Sequence, residues 1–202
     1  MVRGSRTLVV GLAETVGNDT RLQSSVLKNK ERSVMENKQS LLKQTQKKLS
    51  DGEAINPIEV AIESKNQGGF QTKILIRDHE IISDQPFGFN GQNKGPKPSE
   101  LVLAALAACQ ETTYRIFAED MGIDIGEISV KLKGTQDLRG FMALDDEVPA
   151  GFTHIEGKIF IESDASEEEL ELLRKRVDQH CPVLDDLRRP VEVSFSIVKR
   201  PA

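Results

Sequence analysis

The sequence predicts an α+β fold with the element order β-β-β-α-β-β-α-β. Segments in which apolar and polar residues alternate lie on both sides of one long apolar stretch, and a second helix-forming stretch follows it. The long stretch runs from Lys94 to Gly122 and is apolar on every side between Leu101 and Ala108. A helix that is apolar all round is typical of the middle of a fold. We therefore expect a long central helix packed on sheet.

The length of 202 residues suits one ordinary domain with an appendage. No stretch approaches the roughly 18 apolar residues that would span a bilayer. The apolar run at residues 8–13 is also shorter than is typical of a signal-peptide core. We expect a cytoplasmic protein without a membrane span.

Residues 1–55 are expected to form a basic, partly helical or mobile extension, and residues 56–202 the folded domain. Residues 1–50 hold ten Lys or Arg against four Asp or Glu, a charge of +6. Because the whole chain has a net charge of −5, residues 51–202 carry −11. Helix-forming residues predominate from 27 to 49, but their apolar stripe is thin. The extension is either a solvated arm or a segment that contacts an acidic surface. The acidic main body disfavours binding to nucleic acid.

The domain opens with a predicted meander of three strands. Apolar and polar residues alternate over 58–62, and Gly68-Gly69 then turns the chain into a second alternating segment at 70–76. A second turn at Asp78-His79 leads to a short strand around 81–82. A loop rich in Gly and Asn connects this meander to the central helix.

The central helix has clear start and stop signals. Pro98 suits the first helical turn, and Ser99 and Glu100 place polar or negative groups near the positive end of the helix dipole. Gly122 is a typical helix stop. These bounds predict a helix of roughly 24 residues with Cys109 near its midpoint.

Three further strands are predicted after the central helix. Alternation at 128–134 and at 154–162 indicates two of them, and residues 141–144 between them are not assigned. Alternation at 191–197 predicts a final strand.

A second helix is predicted to begin at Ser166, because Ser166 and Glu169 match the S-x-x-E capping box. Three apolar residues share one face at helical spacing: Leu170, Leu173 and Val177. The same face reaches Cys181 four residues later. Pro182 disfavours a helical conformation at Cys181, so we expect this cysteine just past the helix end.

The chain has two cysteines, Cys109 and Cys181, and they do not form a CxxC pair. One interpretation is structural, since free cysteine packs as a small buried hydrophobe. The other is a redox pair, because Cys109 lies where the helix changes from apolar to polar and His180, when protonated, can stabilise a thiolate at Cys181. A disulfide additionally requires the two Cα atoms to lie within about 7 Å.

A functional pair would react with peroxides. A thiolate attacks the peroxide and becomes a sulfenic acid, and a second thiol condenses with it to a disulfide that a dithiol can reduce. Such a site needs a cation to lower the pKa of the thiol and a carboxylate to hold that cation. The candidates are Arg77, placed on a strand, and Glu100. Their structural alternatives are a solvated strand-end charge for Arg77 and a helix-dipole partner for Glu100.

The histidines do not suggest a metal centre. His79 and His154 fall in a turn and an alternating strand and are expected at the surface, and the His and Cys residues never cluster at metal-ligand spacing. The sequence also lacks the GxGxxG, P-loop and GxSxG motifs. We expect no metal and no cofactor.

Three segments resemble one known family. The sequences DHEIISDQP, GPKPSELVLAALAAC and HCPV followed by Leu184 are similar to those of the OsmC/Ohr family of osmotically inducible and organic hydroperoxide resistance proteins, particularly its OsmC-like branch. The resemblance covers roughly residues 57–200 and leaves out residues 1–55.

The resemblance implies an intertwined homodimer with active sites at the subunit interface. It also implies peroxidase activity on organic hydroperoxides without metal or haem, with a dithiol of the lipoyl type as reductant. By position, Cys109 matches the peroxidatic cysteine and Cys181 the resolving cysteine. In the hydroperoxide-resistance branch a carboxylate lies ten residues before the first cysteine. Here that position is Ser99, and Glu100 is turned from it by about 100°.

The leading hypothesis is thus a two-cysteine peroxidase for organic hydroperoxides. The alternative is a small-molecule-binding or redox-sensing protein that uses the same fold without turnover.

Overall fold

A computed structural model describes residues 39–201 of the chain. The predictions for residues 1–38, which form most of the basic extension, lie outside the described residues. The helices and strands in chain order are α1 Leu41–Ser50, β1 Glu63–Gly68, β2 Gln71–Ile76, β3 His79–Ser83, α2 Pro98–Met121, β4 Ile128–Gln136, α3 Leu138–Phe141, β5 Phe152–Ile161, α4 Glu167–His180 and α5 Pro182–Arg188. The α+β class and the order of the first seven predicted elements are confirmed.

Helix α1 lies against the C-terminal end of α2. The Ser40 hydroxyl donates a hydrogen bond to Asp120 Oδ1 over 2.8 Å, and Lys43 Nζ lies 3.6 Å from the same oxygen. Leu42 packs against the hydrophobic core. Part of the predicted extension is therefore helical and in contact with α2, while a domain boundary near residue 55 stays a prediction.

Strands β1, β2 and β3 form an antiparallel meander in that order. The predicted turn at Gly68-Gly69 is confirmed, and both glycines have positive φ angles of 117° and 53°. The prediction of a strand over 58–62 is wrong, because pairing ends at Glu63 opposite Leu75. β2 continues for only one more residue, to Ile76, so β2 offers no strand partner to most of the segment 58–62.

The second turn of the meander is at Arg77-Asp78, one residue earlier than predicted, since β2 ends at Ile76 and β3 begins at His79. Arg77 therefore lies in a turn and not on a strand. Its φ angle of 54° is in the left-handed region, which is uncommon for a residue other than glycine.

A buried carboxylate organises the loop between β3 and α2. Asp84 is 2% exposed and accepts hydrogen bonds from the backbone N–H groups of Gln85, Gln92 and Lys94. Burial alone would raise the pKa of Asp84, but these donors and the charge of Lys94 bring it below its ordinary value. The loop is therefore held as a defined approach to the first turn of α2.

Helix α2 has the predicted bounds and a length of 24 residues. Gly122 follows it with a φ angle of 70° and donates its N–H to carbonyls of the last turn, as expected of a helix C-cap. Within residues 39–201, no helix is long and apolar enough to cross a membrane.

Strands β4 and β5 form a second antiparallel sheet, in register from Ile128 opposite Ile161 to Thr135 opposite His154. The unassigned residues between them contain the short helix α3. The core lies where α2 meets α4, with α5 and the β4–β5 sheet around it. Its buried members are Leu106, Tyr114, Phe117, Ala118, Leu173, Val177 and Cys181.

The C-terminal region departs from the prediction in two ways. Helix α5 was not predicted, although Pro182 at its first position, Asp185 in its first turn and Arg188 in its last are typical helix signals. The predicted final strand at 191–197 is not formed, since no strand of the described chain pairs with it. Its apolar side chains are exposed, with Phe195 at 95% and Ile197 at 99%.

The apolar part of α2 is also left uncovered by residues 39–201. Between Leu101 and Ala108 only Leu106 is buried, and Val102 is 38% exposed. Helix α2 contacts β4, in agreement with the predicted packing on sheet, but most of its surface at 101–108 stays uncovered by residues 39–201.

Candidate thiol site

The two cysteines meet although 72 positions separate them. The Sγ atoms of Cys109 and Cys181 are 3.2 Å apart, and both residues are free thiols. A disulfide bond has an S–S length of about 2.05 Å. A shift of roughly 1 Å would therefore bring the sulfurs to bonding distance, which is within the reach of side-chain rotation.

Two helices bring Cys181 to this position. Leu173 and Val177 of α4 are fully buried against α2, and Cys181 continues their face at 0% exposure. The Cys181 N–H donates to the Val177 carbonyl, and the Cys181 carbonyl accepts from Asp185 of α5. The predicted place just past the end of α4 is confirmed. Since Pro182 is also the first residue of α5, Cys181 is fixed between two helices.

Burial keeps Cys181 protonated. Loss of solvent raises the pKa of the Cys181 thiol, and the hydrogen bond and charge of Cys109 raise it further. The backbone N–H of Leu184 and the Thr113 hydroxyl oppose this rise only in part. Cys181 is thus the donor to Cys109 Sγ in the reduced pair.

Cys109 is the more accessible of the two cysteines, since it is only partly buried. Its carbonyl accepts a hydrogen bond of 2.7 Å from the Thr113 hydroxyl one turn later on α2. Within residues 39–201, the polar contact of Cys109 Sγ is with Cys181 and not with a lysine, arginine or histidine. The described part of one chain therefore brings the sulfurs together without an activating cation.

His180 does not activate Cys181 as the sequence suggested. Its ring stacks on Phe117 with centroids 5.2 Å apart, and the guanidinium of Arg176 lies 5.5 Å from the centroid of the same Phe117 ring. The pKa of Cys181 is raised, which is opposite to the effect of an adjacent imidazolium.

Arg77 and Glu100 lie elsewhere in the chain. Arg77 is exposed in the turn between β2 and β3. Glu100 Oε2 accepts a hydrogen bond of 3.0 Å from the Lys97 N–H, as a capping residue does. Nine residues separate Glu100 from Cys109, or about 13 Å along a helix axis. The structure thus gives Glu100 a role at the helix end and leaves both activating roles as predictions.

His79 is exposed at the start of β3, and His154 is exposed on β5, in agreement with the surface positions expected for them. In residues 39–201, no group of three or more His, Cys, Asp or Glu side chains is placed to hold a metal ion.

A groove of about 770 Å³ lies between the β4–β5 sheet and helices α2, α4 and α5. Its apolar wall includes Leu106, Leu132, Ile155, Ile159, Leu184 and Leu187. Gln110, the residue after Cys109, also lines it. Sequence reasoning missed Gln110, and its one signal was a polar residue directly after an apolar helical run.

Comparisons with solved structures show the fold. An OsmC-like protein from Mycoplasma pneumoniae superimposes with a TM-score of 0.59 at 21% identity, over 65% of this chain and 89% of that one. An organic hydroperoxide resistance protein from Elizabethkingia anophelis gives 0.51 at 20% identity, over 67% and 91%. One from Legionella pneumophila, named OsmC, gives 0.50 at 18%, over 66% and 92%.

Sequence comparison gives the family. No curated protein matches the chain significantly. The sequence profile described as OsmC-like protein matches residues 91–196, slightly more than half of the chain. This match includes both cysteines, helix α2 and the β4–β5 sheet, and it confirms the resemblance on which the sequence prediction rested. The chain belongs to the OsmC-like protein family.

Proposed function

We propose that this protein is a thiol-dependent peroxidase that reduces organic hydroperoxides. The observation that carries the proposal is the distance of 3.2 Å between Cys109 Sγ and Cys181 Sγ in the reduced pair. A partly accessible thiol and a buried one in contact are the arrangement that a two-cysteine peroxidase needs. Solved structures of two organic hydroperoxide resistance proteins with this fold are consistent with the same chemistry.

The reaction balances in three steps. The Cys109 thiolate attacks the terminal oxygen of the hydroperoxide, the O–O bond breaks, and the alkoxide leaves as an alcohol after gaining a proton. Cys109 is then a sulfenic acid. The Cys181 sulfur attacks the Cys109 sulfur, water leaves, and a disulfide forms. An external dithiol reduces this disulfide by thiol–disulfide exchange and is itself oxidised to a disulfide.

The two sulfurs differ in a way that supports a proposed role for each. Cys181 is fully buried and its pKa is raised, so it is a poor first nucleophile at neutral pH. Cys109 is partly accessible and accepts the hydrogen bond of the Cys181 thiol, so its sulfur is the one of the two that an incoming peroxide can reach. Cys109 is therefore the peroxidatic cysteine and Cys181 the resolving one.

The active form is proposed to be a homodimer in which the chains intertwine. Within the described part of the chain, apolar surfaces are left uncovered at residues 58–62, at 101–108 and at 191–197. Exposed apolar area of this extent is typical of a protein interface. Two of these segments alternate apolar and polar residues without a partner strand, so a second copy can supply the missing pairing.

The second copy also offers a source for the activating cation. Arg77 is the proposed cation, contributed to Cys109 by the other chain, and Glu100 stays a predicted carboxylate partner for it. The proposed reductant is a dithiol of the lipoyl type. A disulfide that must be reduced in each cycle suits the cytoplasm, where thiol systems are kept reduced.

Consumption of cumene hydroperoxide with dihydrolipoamide as reductant tests this function. The intact protein is expected to turn over many equivalents, and Cys109→Ser to be inactive. In Cys181→Ser, peroxide still oxidises Cys109 to a sulfenic acid, which dimedone traps. Without the resolving thiol no disulfide forms, so turnover should be slowed or lost. Equal turnover by the intact protein and Cys109→Ser would contradict the proposal.

A second function is a redox sensor or small-molecule-binding protein without turnover. The absence of a cation beside Cys109 among residues 39–201 favours it, because an unactivated thiol reacts slowly. In this case cumene hydroperoxide forms one Cys109–Cys181 disulfide per chain, and dihydrolipoamide does not reduce it.

A further inference from the structure

Thr113 is a buried polar residue beside the two cysteines, and the three steps of the proposed reaction give it no role. Its side chain is 5% exposed and lies one helical turn after Cys109, so the two residues share a face of α2. The sulfur of Cys181 reaches this face, since it lies 3.2 Å from Cys109 Sγ and has the Thr113 hydroxyl as a hydrogen-bond partner. One hydroxyl group is thus in contact with both cysteines.

The Thr113 hydroxyl has one proton to donate, and two acceptors lie within its reach. In the reduced pair it donates to the Cys109 carbonyl over 2.7 Å, while the Cys181 thiol donates to Cys109 Sγ. The carbonyl does not depend on the hydroxyl, because within helix α2 it also pairs with the Thr113 backbone N–H. Rotation of the hydroxyl toward Cys181 therefore leaves no carbonyl unpaired.

The charge on Cys181 determines which acceptor is preferred. The sulfur of a protonated thiol is a weak acceptor, so the carbonyl is then favoured. A Cys181 thiolate is different, because hydrogen bonds to an ionised acceptor are roughly twice as strong as those between neutral groups. Cys181 is 0% exposed, so water does not supply these bonds. The groups that favour its thiolate are neutral donors, the Leu184 N–H and the Thr113 hydroxyl.

We propose that the Thr113 hydroxyl turns to the Cys181 sulfur and stabilises its thiolate each time that thiolate forms. The thiolate forms at two points of the cycle. Cys181 attacks the oxidised Cys109 sulfur as a thiolate, and it leaves as a thiolate when the dithiol attacks the disulfide at Cys109. The inference rests on the proposed function for these two steps, but the attack of Cys181 on Cys109 can be followed without peroxide.

The reagent 4,4′-dithiodipyridine separates the reactions of the two sulfurs. The Cys109 thiolate attacks one reagent sulfur, the S–S bond breaks, and one thiopyridone leaves while a mixed disulfide stays on Cys109. The Cys181 thiolate then attacks the Cys109 sulfur, and a second thiopyridone leaves as the disulfide between the cysteines forms. Stopped-flow absorbance of the reduced full-length protein follows both releases, and Cys181→Ser should give the first release alone.

Thr113→Val keeps the shape of the side chain and removes its hydroxyl. The second release should slow by about three- to twentyfold, because a hydrogen bond to a charged group is lost while the more basic thiolate is a better nucleophile. The first release should not change. Thr113→Ser keeps the hydroxyl and should restore the second release. The matched control Thr112→Val removes the hydroxyl of the exposed neighbour and should alter neither release.

Two results would overturn the proposal. One is a second release in Thr113→Val as fast as in the intact protein. The other is a second release in Thr113→Ser as slow as in Thr113→Val, since altered packing would then explain both. Thermal unfolding checks the fold of each variant, and Thr113→Ala removes the same hydroxyl if Thr113→Val does not fold.

The peroxidase function is tested separately by consumption of cumene hydroperoxide. A slower second release in Thr113→Val, together with no consumption by the intact protein, would support the role of Thr113 and reject the peroxidase function. Consumption by the intact protein, together with equal second releases, would keep the function and reject the role of Thr113.

Discussion

In helix α2 the apolar half is largely exposed, whereas the more polar half holds most of the buried residues. The half before Cys109 is almost wholly apolar, yet within this chain only Leu106 is buried. The half after Cys109 contains polar residues, yet Gln110 and Thr113 are buried in it together with Tyr114. Cys109 lies at the boundary between these halves.

This difference indicates which contacts the chain makes by itself. The second half of α2 is covered by α4, whose Leu173 and Val177 are fully buried. The first half has no comparable cover among residues 39–201, although burial of apolar area is the main stabilising contribution to a fold. One chain thus builds the sulfur pair, and a second copy is the proposed cover for the rest of the helix.

The largest expected effect is a loss of stability when the packing of α4 on the second half of α2 is disrupted. Leu173→Ala should reduce the free energy of unfolding by about 2–5 kcal/mol, because it leaves a cavity beside Cys181 and α2. Denaturant unfolding at several protein concentrations measures the change. The adjacent Leu172 is 57% exposed, so Leu172→Ala should change the free energy by less than about 0.5 kcal/mol. Similar losses in both variants would contradict the assigned core.

The variant Val102→Ser tests whether a second copy covers the first half of α2. If a second copy covers Val102, the variant should weaken dimerisation by about a hundredfold, since both chains lose an apolar contact. Sedimentation equilibrium gives the dimer Kd. Glu168→Gln, on the exposed first turn of α4, is the control and should leave it unchanged. A monomeric intact protein, or equal dimerisation in Val102→Ser, would show that another molecule or solvent covers this surface.

A variant of Arg77 tests whether the β1–β3 meander supplies the cation that activates Cys109. Arg77→Gln should slow oxidation of Cys109 by roughly tenfold, because the proposed site would lose the positive charge that stabilises the attacking sulfur. Stopped-flow kinetics with cumene hydroperoxide measures the rate. Lys65→Gln removes an exposed positive charge from the same meander and is the matched control. Equal rates in the two variants would remove Arg77 from the site.

The raised pKa of Cys181 predicts how pH affects resolution. Only the thiolate attacks the sulfenic acid, and its fraction rises about tenfold per pH unit below the pKa. Disulfide formation should therefore accelerate up to and beyond pH of about 8.5, the ordinary cysteine value. Rapid-quench alkylation from pH 6 to 10 measures the rate. A plateau below pH of about 8.5 would mean that the pKa of Cys181 is not raised.

Local signals predicted the elements that depend on neighbouring residues. The start at Pro98 and the stop at Gly122 gave α2 its bounds, and the Ser166–Glu169 capping box gave the start of α4. The face of Leu173 and Val177 also placed Cys181 correctly. These features were readable because helix ends and helical faces are determined within a few residues of sequence.

The failures concern contacts that are distant in sequence. Alternation at 58–62 and 191–197 indicates an apolar face but not which strand pairs with it, and none of the strands in residues 39–201 does. The approach of Cys109 to Cys181 depends on the packing of α4 on α2, so the distance between the two sulfurs could not be predicted from local patterns. A role for Glu100 at the positive end of the helix was one of its two interpretations, whereas the place of Arg77 in a turn was not foreseen, because the turn falls one residue earlier than predicted.

The most direct test of the central claim is peptide mass spectrometry after one equivalent of cumene hydroperoxide. Thiols are alkylated and the protein is digested without reductant. The proposed chemistry predicts a disulfide between Cys109 and Cys181 within one chain, and trapped sulfenic acid at Cys109 in Cys181→Ser. Two alkylated thiols in the treated protein, or disulfides only between chains, would contradict a peroxidatic pair formed by these sulfurs.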